Sequence, residues 1–235
     1  MSLIKKSVFS SLLLGTAIAA NAFNGAFGGG NGTIATPYII QDAADLNAVR
    51  NKLSAHYKLD RDVNLSAYLS AGGAGYAAWG TSGWLPIGDN RIQFKGSLNG
   101  DGHKITGLWI NRPSTNCVGL FGYLVGGVNI NTLGVEIDNA KGGVKGHDGV
   151  GGLVGYNDSS TITACFFNIQ TTGQANGVGG GATTGVTGKT TAQMQQQSAF
   201  TAAGWNFASV WKICDEGGAY PVLQWQACPL PPAKK

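Results

Sequence analysis

Apolar and polar positions between residues 118 and 167 follow the same pattern twice. The first copy begins with Val118-Gly-Leu-Phe-Gly-Tyr123 and the second with Val150-Gly-Gly-Leu-Val-Gly-Tyr156. Each start is followed by a second apolar run, at 130–135 in the first copy and at 162–167 in the second. The two copies register at an offset of 32 to 33 residues. Alternating apolar positions bounded by glycine predict short strands in both copies. The residues of the repeated motif are Gly119, Leu120, Phe121, Gly122, Gly152, Leu153, Val154 and Gly155.

Two further segments extend the repeat on either side. Residues 94–105 read as a strand, a Gly-rich turn and a second strand, and Val178-Gly-Gly-Gly181 is a degraded third start. Self-similarity at this period is typical of stacked units that bury their apolar faces against one another. The sequence therefore predicts an all-β chain folded as a parallel β-solenoid, with Leu120 stacked on Leu153 and Ile130 on Ile162.

The regions flanking the repeats predict short helical caps at both ends. Residues 33–83 are assigned to an N-terminal cap and first strands, in which Asp42 is the N-cap of a helix over 42–53. The apolar stripe of this helix is formed by Leu46, Val49 and Leu53. Residues 57–65 then alternate as a half-buried strand would. An amphipathic helix here would hide the apolar end of the first coil.

The solenoid body is predicted over 84–188 and a C-terminal cap over 189–228. The cap begins with a helix-like stretch at 190–200, in which Met194 and Phe200 are candidate packing residues. An aromatic cluster follows, and it has two interpretations: packing within the cap, or a platform on which sugars stack. Its members are Trp205, Phe207, Trp211, Tyr220 and Trp225.

Composition and the N-terminus place the chain outside the cytoplasm. The 235 residues include 38 glycines and only 12% charged residues, but 43% hydrophobic residues and six tryptophans indicate a packed core. Residues 1–22 have a basic start, an apolar stretch and an Ala-Asn-Ala cleavage site, which predicts a signal peptide. A flexible Gly-rich lead-in at 23–32 and a tail at 229–235 complete the organisation. No later segment is apolar enough to span a bilayer, so we expect an exported protein: secreted, at the cell surface or periplasmic.

Charge excludes nucleic acid as a partner. Removal of the signal peptide leaves 14 basic residues against 12 acidic ones, and the basic residues are scattered. Nucleic-acid binding normally requires a basic stripe or patch, and none is visible.

Four cysteines in an exported chain favour disulfides over free thiols or a metal site. Cys214 and Cys228 flank the last strand region and would close a short loop, so they form the predicted pair. Pairing of Cys117 with Cys165 then follows by elimination. Cys165 also aligns with Leu133 of the first copy, so it could simply be a small core residue. The absence of a C-x-x-C motif or a Cys/His cluster disfavours zinc.

These motifs resemble those of GLUG-motif proteins, which are bacterial surface and secreted proteins that include filamentous haemagglutinin-like adhesins and regions associated with IgA-cleaving peptidases. The resemblance rests on 94–105, on the two Gly-Leu-(Phe/Val)-Gly-Tyr units and on the closing segment from 190 to 223. It implies a single-stranded parallel β-helix and export. It implies no shared catalytic centre, and the chain has only about two clear units and no peptidase motif.

Candidate chemistry is sparse. Asp60 and Asp62 lie two apart, on one face of the predicted strand, and paired carboxylates serve glycosidases and calcium sites. A solvated strand face beside Lys58 and Arg61 is the simpler interpretation. Asp101 and His103 fall in a turn of the repeat family, where a structural role is expected. The histidines, His56, His103 and His147, form no metal-binding motif.

Three classes of function remain open. The first is a non-catalytic, adhesin-like module that binds a host, matrix or glycan ligand and requires no cofactor or metal. The second is an enzyme acting on polysaccharides, which would need clustered titratable groups. The third is a structural subunit that self-associates through exposed strand edges. The repeats contain few titratable residues and many Asn, Thr and Ser, which favours binding over catalysis.

Overall fold

The computed structural model describes residues 27–138, 141–209, 211–224 and 227–228. The predicted signal peptide, the first part of the lead-in and the tail lie outside these residues. The strands are β1 Tyr38–Ile40, β2 His56–Leu59, β3 Val63–Asn64, β4 Ser97–Asn99, β5 Lys104–Leu108, β6 Ile110–Asn111, β7 Phe121–Val125, β8 Asn129–Asn131, β9 Gly134–Ile137, β10 Val144–Lys145, β11 Val154–Asp158, β12 Thr161–Thr163, β13 Cys165–Asn168, β14 Val178–Gly181, β15 Val186–Lys189, β16 Trp211–Lys212 and β17 Val222–Leu223. The α-helices are α1 Ala43–Ala48, α2 Ala74–Trp79, α3 Ile169–Thr172, α4 Thr191–Met194 and α5 Gln197–Thr201, and 3-10 turns cover Val49–Asn51 and Gly80–Ser82.

The chain is β-rich, as predicted, and its main sheets are parallel. Sheet 1 has the order β1-β2-β4-β8-β12, sheet 2 the order β3-β5-β9-β13-β15, and sheet 3 the order β7-β11-β14. All strand pairs in these three sheets are parallel. β6 and β10 form a further parallel pair, and β16 and β17 an antiparallel one. From β4 to β14 the chain thus contributes strands to sheets 1, 2 and 3 in turn, three times over.

The register of the strands confirms the repeat alignment. Ile130 pairs with Ile162, which is the predicted offset of 32 residues. Phe121 pairs with Val154, an offset of 33, so the strands that follow Leu120 and Leu153 are aligned as predicted. The degraded third start is also a strand, since Val178 pairs with Val154. Parallel pairing places equivalent residues of successive copies beside each other, and their inward side chains share one core.

The corner between sheets 1 and 2 is not made by glycine alone. Asp101, Thr132 and Ala164 follow β4, β8 and β12, and their φ angles are 51°, 49° and 51°. These left-handed residues turn the chain sharply in three successive copies, although a β-branched threonine rarely adopts this conformation. The corners are tied to one another, since the Thr132 N–H donates to the Thr163 carbonyl at 3.0 Å.

The N-terminal helix begins as predicted and ends earlier. The Asp42 carboxylate caps α1 by accepting hydrogen bonds from the backbone N–H groups of Ala44 and Asp45. The α-helix ends at Ala48 and a 3-10 turn continues it to Asn51. All three residues of the predicted stripe contact the core, and Leu46 and Val49 are fully buried.

The described part of the predicted lead-in is held to the body. The Gly28 N–H donates to the Ile39 carbonyl at 2.8 Å, and the Ile39 N–H donates back to Gly29 at 3.0 Å. The Phe27 ring stacks on Tyr38, with centroids 4.5 Å apart. Residues 27–32, the described part of the predicted flexible lead-in, therefore lie against β1, the end strand of sheet 1.

The predicted helix at 190–200 is broken into α4 and α5. Thr190 caps α4 in a capping box with Gln193, and Met194 and Phe200 are both buried, as predicted. These helices open a segment that we call the C-terminal strap, comprising residues 190–209 and 211–224.

The C-terminal strap lies on the outer face of sheet 2. Phe166 of β13 points outward and packs in one cluster with the buried rings of Phe200, Trp205 and Trp211. Farther along the sheet, Trp211 lies so close to Gly102 that any side chain there would overlap its ring. The prediction places the aromatic cluster at an end of the stack, whereas its described members lie against a side of it; Trp225 falls outside the described residues. Trp205 and Trp211 are buried, which favours packing over the sugar-platform interpretation.

Candidate functional site: the open polar face

The three main sheets differ in what covers their outer faces. On sheet 2, Lys104 lies under the strap with its Nζ 4.6 Å from the centroid of the Tyr220 ring. On the same sheet, Asn168 donates hydrogen bonds to Thr191 at 2.8 Å and to the Tyr220 hydroxyl at 3.2 Å. Among the described residues, the strap contacts sheet 2, which leaves the outer faces of sheets 1 and 3 as the available binding surfaces.

The outer face of sheet 1 is a ladder of polar side chains. Tyr57, Leu98, Ile130 and Ile162 are buried and stack in register, so the residues on either side of each point outward. We call this surface the open polar face. It consists of His56, Lys58, Ser97, Asn99, Asn129, Asn131, Thr161 and Thr163.

Hydrogen bonds within the open polar face are few. His56 Nδ1 lies 2.8 Å from the Ser97 hydroxyl, and the Asn131 amide donates to Asn129 at 3.2 Å. Thr161 and Thr163 are exposed at the far end of the sheet. Because parallel strands repeat about every 4.8 Å, the face presents hydroxyl and amide groups at a constant spacing. It can donate and accept many weak hydrogen bonds, and its composition is largely uncharged.

The paired carboxylates are separated by the turn in which they lie. Asp60 and Asp62 fall between β2 and β3, so the prediction that they share one face of a strand is wrong. Asp60 accepts hydrogen bonds from Gln41 at 2.8 Å and from Arg61 at 3.0 Å. Asp62 accepts instead from the Lys104 N–H at 3.1 Å. Each carboxylate has its own structural partners.

The titratable groups near Asp62 form a structural network. Nδ1 of the buried His103 lies 3.4 Å from Asp62, and Lys104 Nζ lies 3.1 Å from Glu136. Burial acts to raise the pKa of Asp62, but contacts with His103 and the Lys104 N–H outweigh burial and lower it below the ordinary value. Asp101 pairs with Lys58 at 2.9 Å. Asp62, Lys104 and Glu136 line a small recess together with Trp211 and Tyr220 of the strap, and 36% of the Asp62 side chain remains exposed.

The three histidines lie in different environments. His56 is on the open polar face, His103 is in the interior, and His147 lies in a loop beside Asn116, 3.1 Å away. Over the described ranges, no group of three or more His, Cys, Asp or Glu side chains could hold a metal ion.

The repeated motif residues serve packing. Leu120, Phe121, Leu153 and Val154 have no exposed surface. The motif glycines lie where neighbouring chain passes closely, and a side chain at Gly155 would overlap the backbone of the preceding copy. The motif that identifies the repeat thus builds the core, and the ligand-accessible surface lies beside it.

One predicted disulfide is present and the other is not. Cys214 and Cys228 are bonded. Cys117 and Cys165 are free, so their predicted pairing is wrong. Cys165 points into the core at the start of β13, where it occupies the inward position that Leu133 fills one copy earlier, whereas Cys117 lies in the turn before β7. The alternative interpretation of Cys165 as a small core residue fits its burial.

Thiol labelling is expected to separate these two free cysteines. Burial raises the pKa of the Cys165 thiol to about 12. The pKa of the Cys117 thiol is also raised, mainly by burial and to a lesser extent by the negative charges of Asp148 and Asp89. In native protein, iodoacetamide should modify the partly exposed Cys117 slowly and Cys165 only after unfolding. Mass spectrometry without reduction should recover Cys214 linked to Cys228. A peptide linking Cys117 to Cys165 would contradict this assignment.

Comparison with known proteins gives partial matches. No protein-family model matches the chain. A "Putative Gly-rich membrane protein" of Evansella cellulosilytica is 47% identical over 100 residues, which is 42% of this chain and 11% of that protein. Halomucin of Haloquadratum walsbyi is 38% identical over 156 residues, or 63% of this chain and 2% of that protein. The chain therefore matches only a small part of each relative.

A crystal structure of a "putative immunoglobulin A1 protease" from Bacteroides ovatus is also similar. Its TM-score is 0.34 with 15% sequence identity, and the alignment covers 86% of this chain and 96% of that one. The helices in the part of the chain that the structure describes are all too short or too polar to cross a bilayer.

Proposed function

We propose that this chain is an exported, non-catalytic parallel β-helix module that binds an extracellular ligand, in the manner of an adhesin. The three parallel sheets, visited in turn with offsets that match the sequence repeat, support the β-helix. The capped helix α1, packed beside β1 at the start of sheet 1, is the closing element of its first coil.

The main support for a binding function is the difference between the outer faces of sheets 1 and 2. Sheet 2 carries the paired Lys104 and Glu136, which lie beside aromatic residues of the strap. Sheet 1 presents neutral hydrogen-bonding groups at a constant spacing and is open. A linear glycan has hydroxyl groups at regular intervals, so it can form many weak hydrogen bonds with such a face. Catalysis would require accessible titratable groups held together, and the open polar face offers only His56 and Lys58.

Export is supported by two features besides the predicted signal peptide. A disulfide between Cys214 and Cys228 is stable in an oxidising compartment and rare in the cytosol. The relative from Evansella is described as a membrane protein. We propose a location at the cell surface or in the secreted fraction.

Binding is tested with protein that lacks residues 1–22, on an array of glycans and matrix proteins. We expect saturable binding to a glycan without release of reducing ends or unsaturated products. The double variant Asn131→Ala/Thr163→Ala should bind at least about fivefold more weakly, because it loses two hydrogen bonds that contribute about 0.5–1.5 kcal/mol each. Both positions face water, so the variant should retain its thermal midpoint.

The matched control is Ser198→Ala, which removes an exposed hydroxyl from the strap. This variant should bind as the unaltered protein does. Turnover of a polysaccharide that is abolished by Asp62→Asn would instead place the protein among the enzymes. Equal binding by the double variant and the control would exclude the open polar face as the site.

A further inference from the structure

The two ends of the stack of coils are closed to different extents. At the N-terminal end, the first strands of sheets 1 and 3 already have hydrogen-bonded neighbours. Ile39 of β1 accepts a hydrogen bond from the Gly28 N–H at 2.8 Å and donates one to the Gly29 carbonyl at 3.0 Å. β7 is flanked by parallel bridges to Ile87 and Phe94. The first strand of sheet 2, β3, has only two residues, and a very short strand is a poor template for another chain.

The C-terminal end of the stack is less fully closed. The end strands there are β12, β15 and β14, in sheets 1, 2 and 3 respectively. Helices α3 and α4 lie against β15. Residues 182–185 pass beside β12, since a side chain at Gly185 would overlap the Ile162 carbonyl. β14 pairs with β11 on one side, and among the described residues no strand pairs with it on the other. One edge of β14 is therefore unpaired in this part of the chain.

The last coil also lacks the residues that usually protect a free strand edge. Charged residues, above all lysine, and proline keep such edges from pairing with other chains. Residues 159–188 contain no charged residue and no proline. After Val178, β14 consists of glycine alone, so no side chain of its own hinders the approach of a second backbone. Residues 181–184, which follow directly, are exposed. An uncharged edge can meet an identical edge without repulsion, which favours a second copy of this chain as the partner.

The closed N-terminal end restricts how two copies can pair. Head-to-tail stacking would place the end strands of one copy against the first strands of the next, which already have neighbours or are very short. Contact between two C-terminal ends requires only the free edge, which both copies have. A two-fold axis perpendicular to sheet 3 brings the two β14 strands together antiparallel and keeps the outer face of the sheet outward in both copies. Each free edge is then occupied, so assembly stops at the dimer.

We propose that the protein forms a two-fold symmetric dimer through its C-terminal end, in which β14 pairs antiparallel with β14 of a second copy. Residues 181–184 lie at the same end and border the contact. Because the contact is confined to the end of one coil and is largely main-chain, the dimer is expected to dissociate on dilution. The dimer forms whether or not the open polar face binds a glycan, and it holds two such faces in one assembly.

Sedimentation velocity of protein that lacks residues 1–22 tests the dimer over about a hundredfold range of concentration. We expect the average mass to rise with concentration and to level off at twice the monomer mass. Hydrogen exchange of the backbone amides in 178–181 should slow as the dimer forms, because the paired edge is removed from water.

Charge placed beside the contact should weaken the dimer. Thr183→Lys/Thr184→Lys adds two positive charges to each copy and should raise the dissociation constant at least about tenfold. Added salt should restore part of the association, because salt screens the repulsion between exposed charges. The matched control is Ala71→Lys/Ala74→Lys, which adds the same charge near α2, in the N-terminal region, and should associate as the unaltered protein does. All four positions are exposed, so both variants should keep the thermal midpoint.

Three outcomes would overturn the proposal. A constant monomer mass at every concentration would mean that the edge of β14 does not pair with a second copy. Growth beyond the dimer would indicate head-to-tail stacking instead of the two-fold arrangement. A dissociation constant that Thr183→Lys/Thr184→Lys leaves within twofold of the unaltered value would place the contact elsewhere. None of these measurements involves a glycan, so failure of the dimer leaves the proposed function standing, and absence of glycan binding leaves the dimer standing.

Discussion

Replacing Leu153 with aspartate is expected to unfold the protein. Leu153 has no exposed surface and precedes Val154, which pairs with both Phe121 and Val178. An ionised carboxylate there would lie in a core of aliphatic and aromatic side chains without a partner. We expect a loss of about 3 kcal/mol or more in the free energy of unfolding, which is a large part of a typical domain's stability of about 5–15 kcal/mol.

The control for Leu153→Asp is Thr163→Asp, which introduces the same charge on the exposed face of sheet 1. Urea denaturation, followed by far-UV circular dichroism and tryptophan fluorescence, should show a native-like midpoint for the control. The Leu153→Asp protein should lose its transition or shift it to much lower urea. Equal midpoints for the two variants would mean that the second copy does not stack on the first as described.

The repeat could be predicted in detail because parallel pairing converts a sequence offset directly into a strand register. Val118 bridges to Val150 at an offset of 32, whereas Phe121 pairs with Val154 at 33. The second copy thus has one extra residue at its Gly-Gly step before Leu153, and the offset returns to 32 where Ile162 pairs with Ile130. A change of one residue in the separation between equivalent positions, located at a glycine, can be predicted from the sequence alone.

The corners could not be predicted in the same way. Glycine is the residue that sequence reasoning places at sharp turns, because it adopts positive φ at little cost. Thr132 and Ala164 adopt positive φ without being glycine, and intrinsic preference gives no signal for this. The surrounding ladder imposes the conformation, since hydrogen bonds link each corner to the next.

The sequence of β13 contains an indication of where the strap packs. β13 reads Cys165-Phe-Phe-Asn168, and all four of its residues are buried. A strand in which neither alternate set of residues faces water must be covered on both sides. The aromatic residues of the tail were predicted to pack, but only the structure identifies their partner as outward-facing Phe166.

The open polar face also has a sequence signature, which consists of three polar-apolar-polar triplets. Ser97-Leu-Asn99, Asn129-Ile-Asn131 and Thr161-Ile-Thr163 place polar residues on either side of an apolar one, at successive offsets of 32. The inward leucine and isoleucines define the repeat, and the flanking residues vary in identity while remaining polar. Their alignment into columns depends on the register, which the structure supplies.

Replacing Phe200 with alanine is expected to release the C-terminal strap without unfolding the sheets. Its buried ring lies 5.0 Å from the rings of both Phe166 and Trp205, measured between centroids. Loss of a fully buried phenylalanine costs about 3–5 kcal/mol. The strap cluster is separate from the main core, so this cost falls on the docking of the strap.

Limited trypsin digestion measures the release, because Lys189 and Lys212 lie just before and within the strap. Cleavage after these lysines should accelerate strongly in Phe200→Ala, and binding of a hydrophobic dye should rise as Phe166 becomes exposed. Phe207→Ala is the matched control, since its ring is only partly buried and its loss should have a smaller effect. The β-sheet circular dichroism signal should persist in both variants. If Phe200→Ala instead loses this signal together with the strap, then the strap and the sheets unfold as one cooperative unit, and the outer face of sheet 2 depends on the strap for its stability.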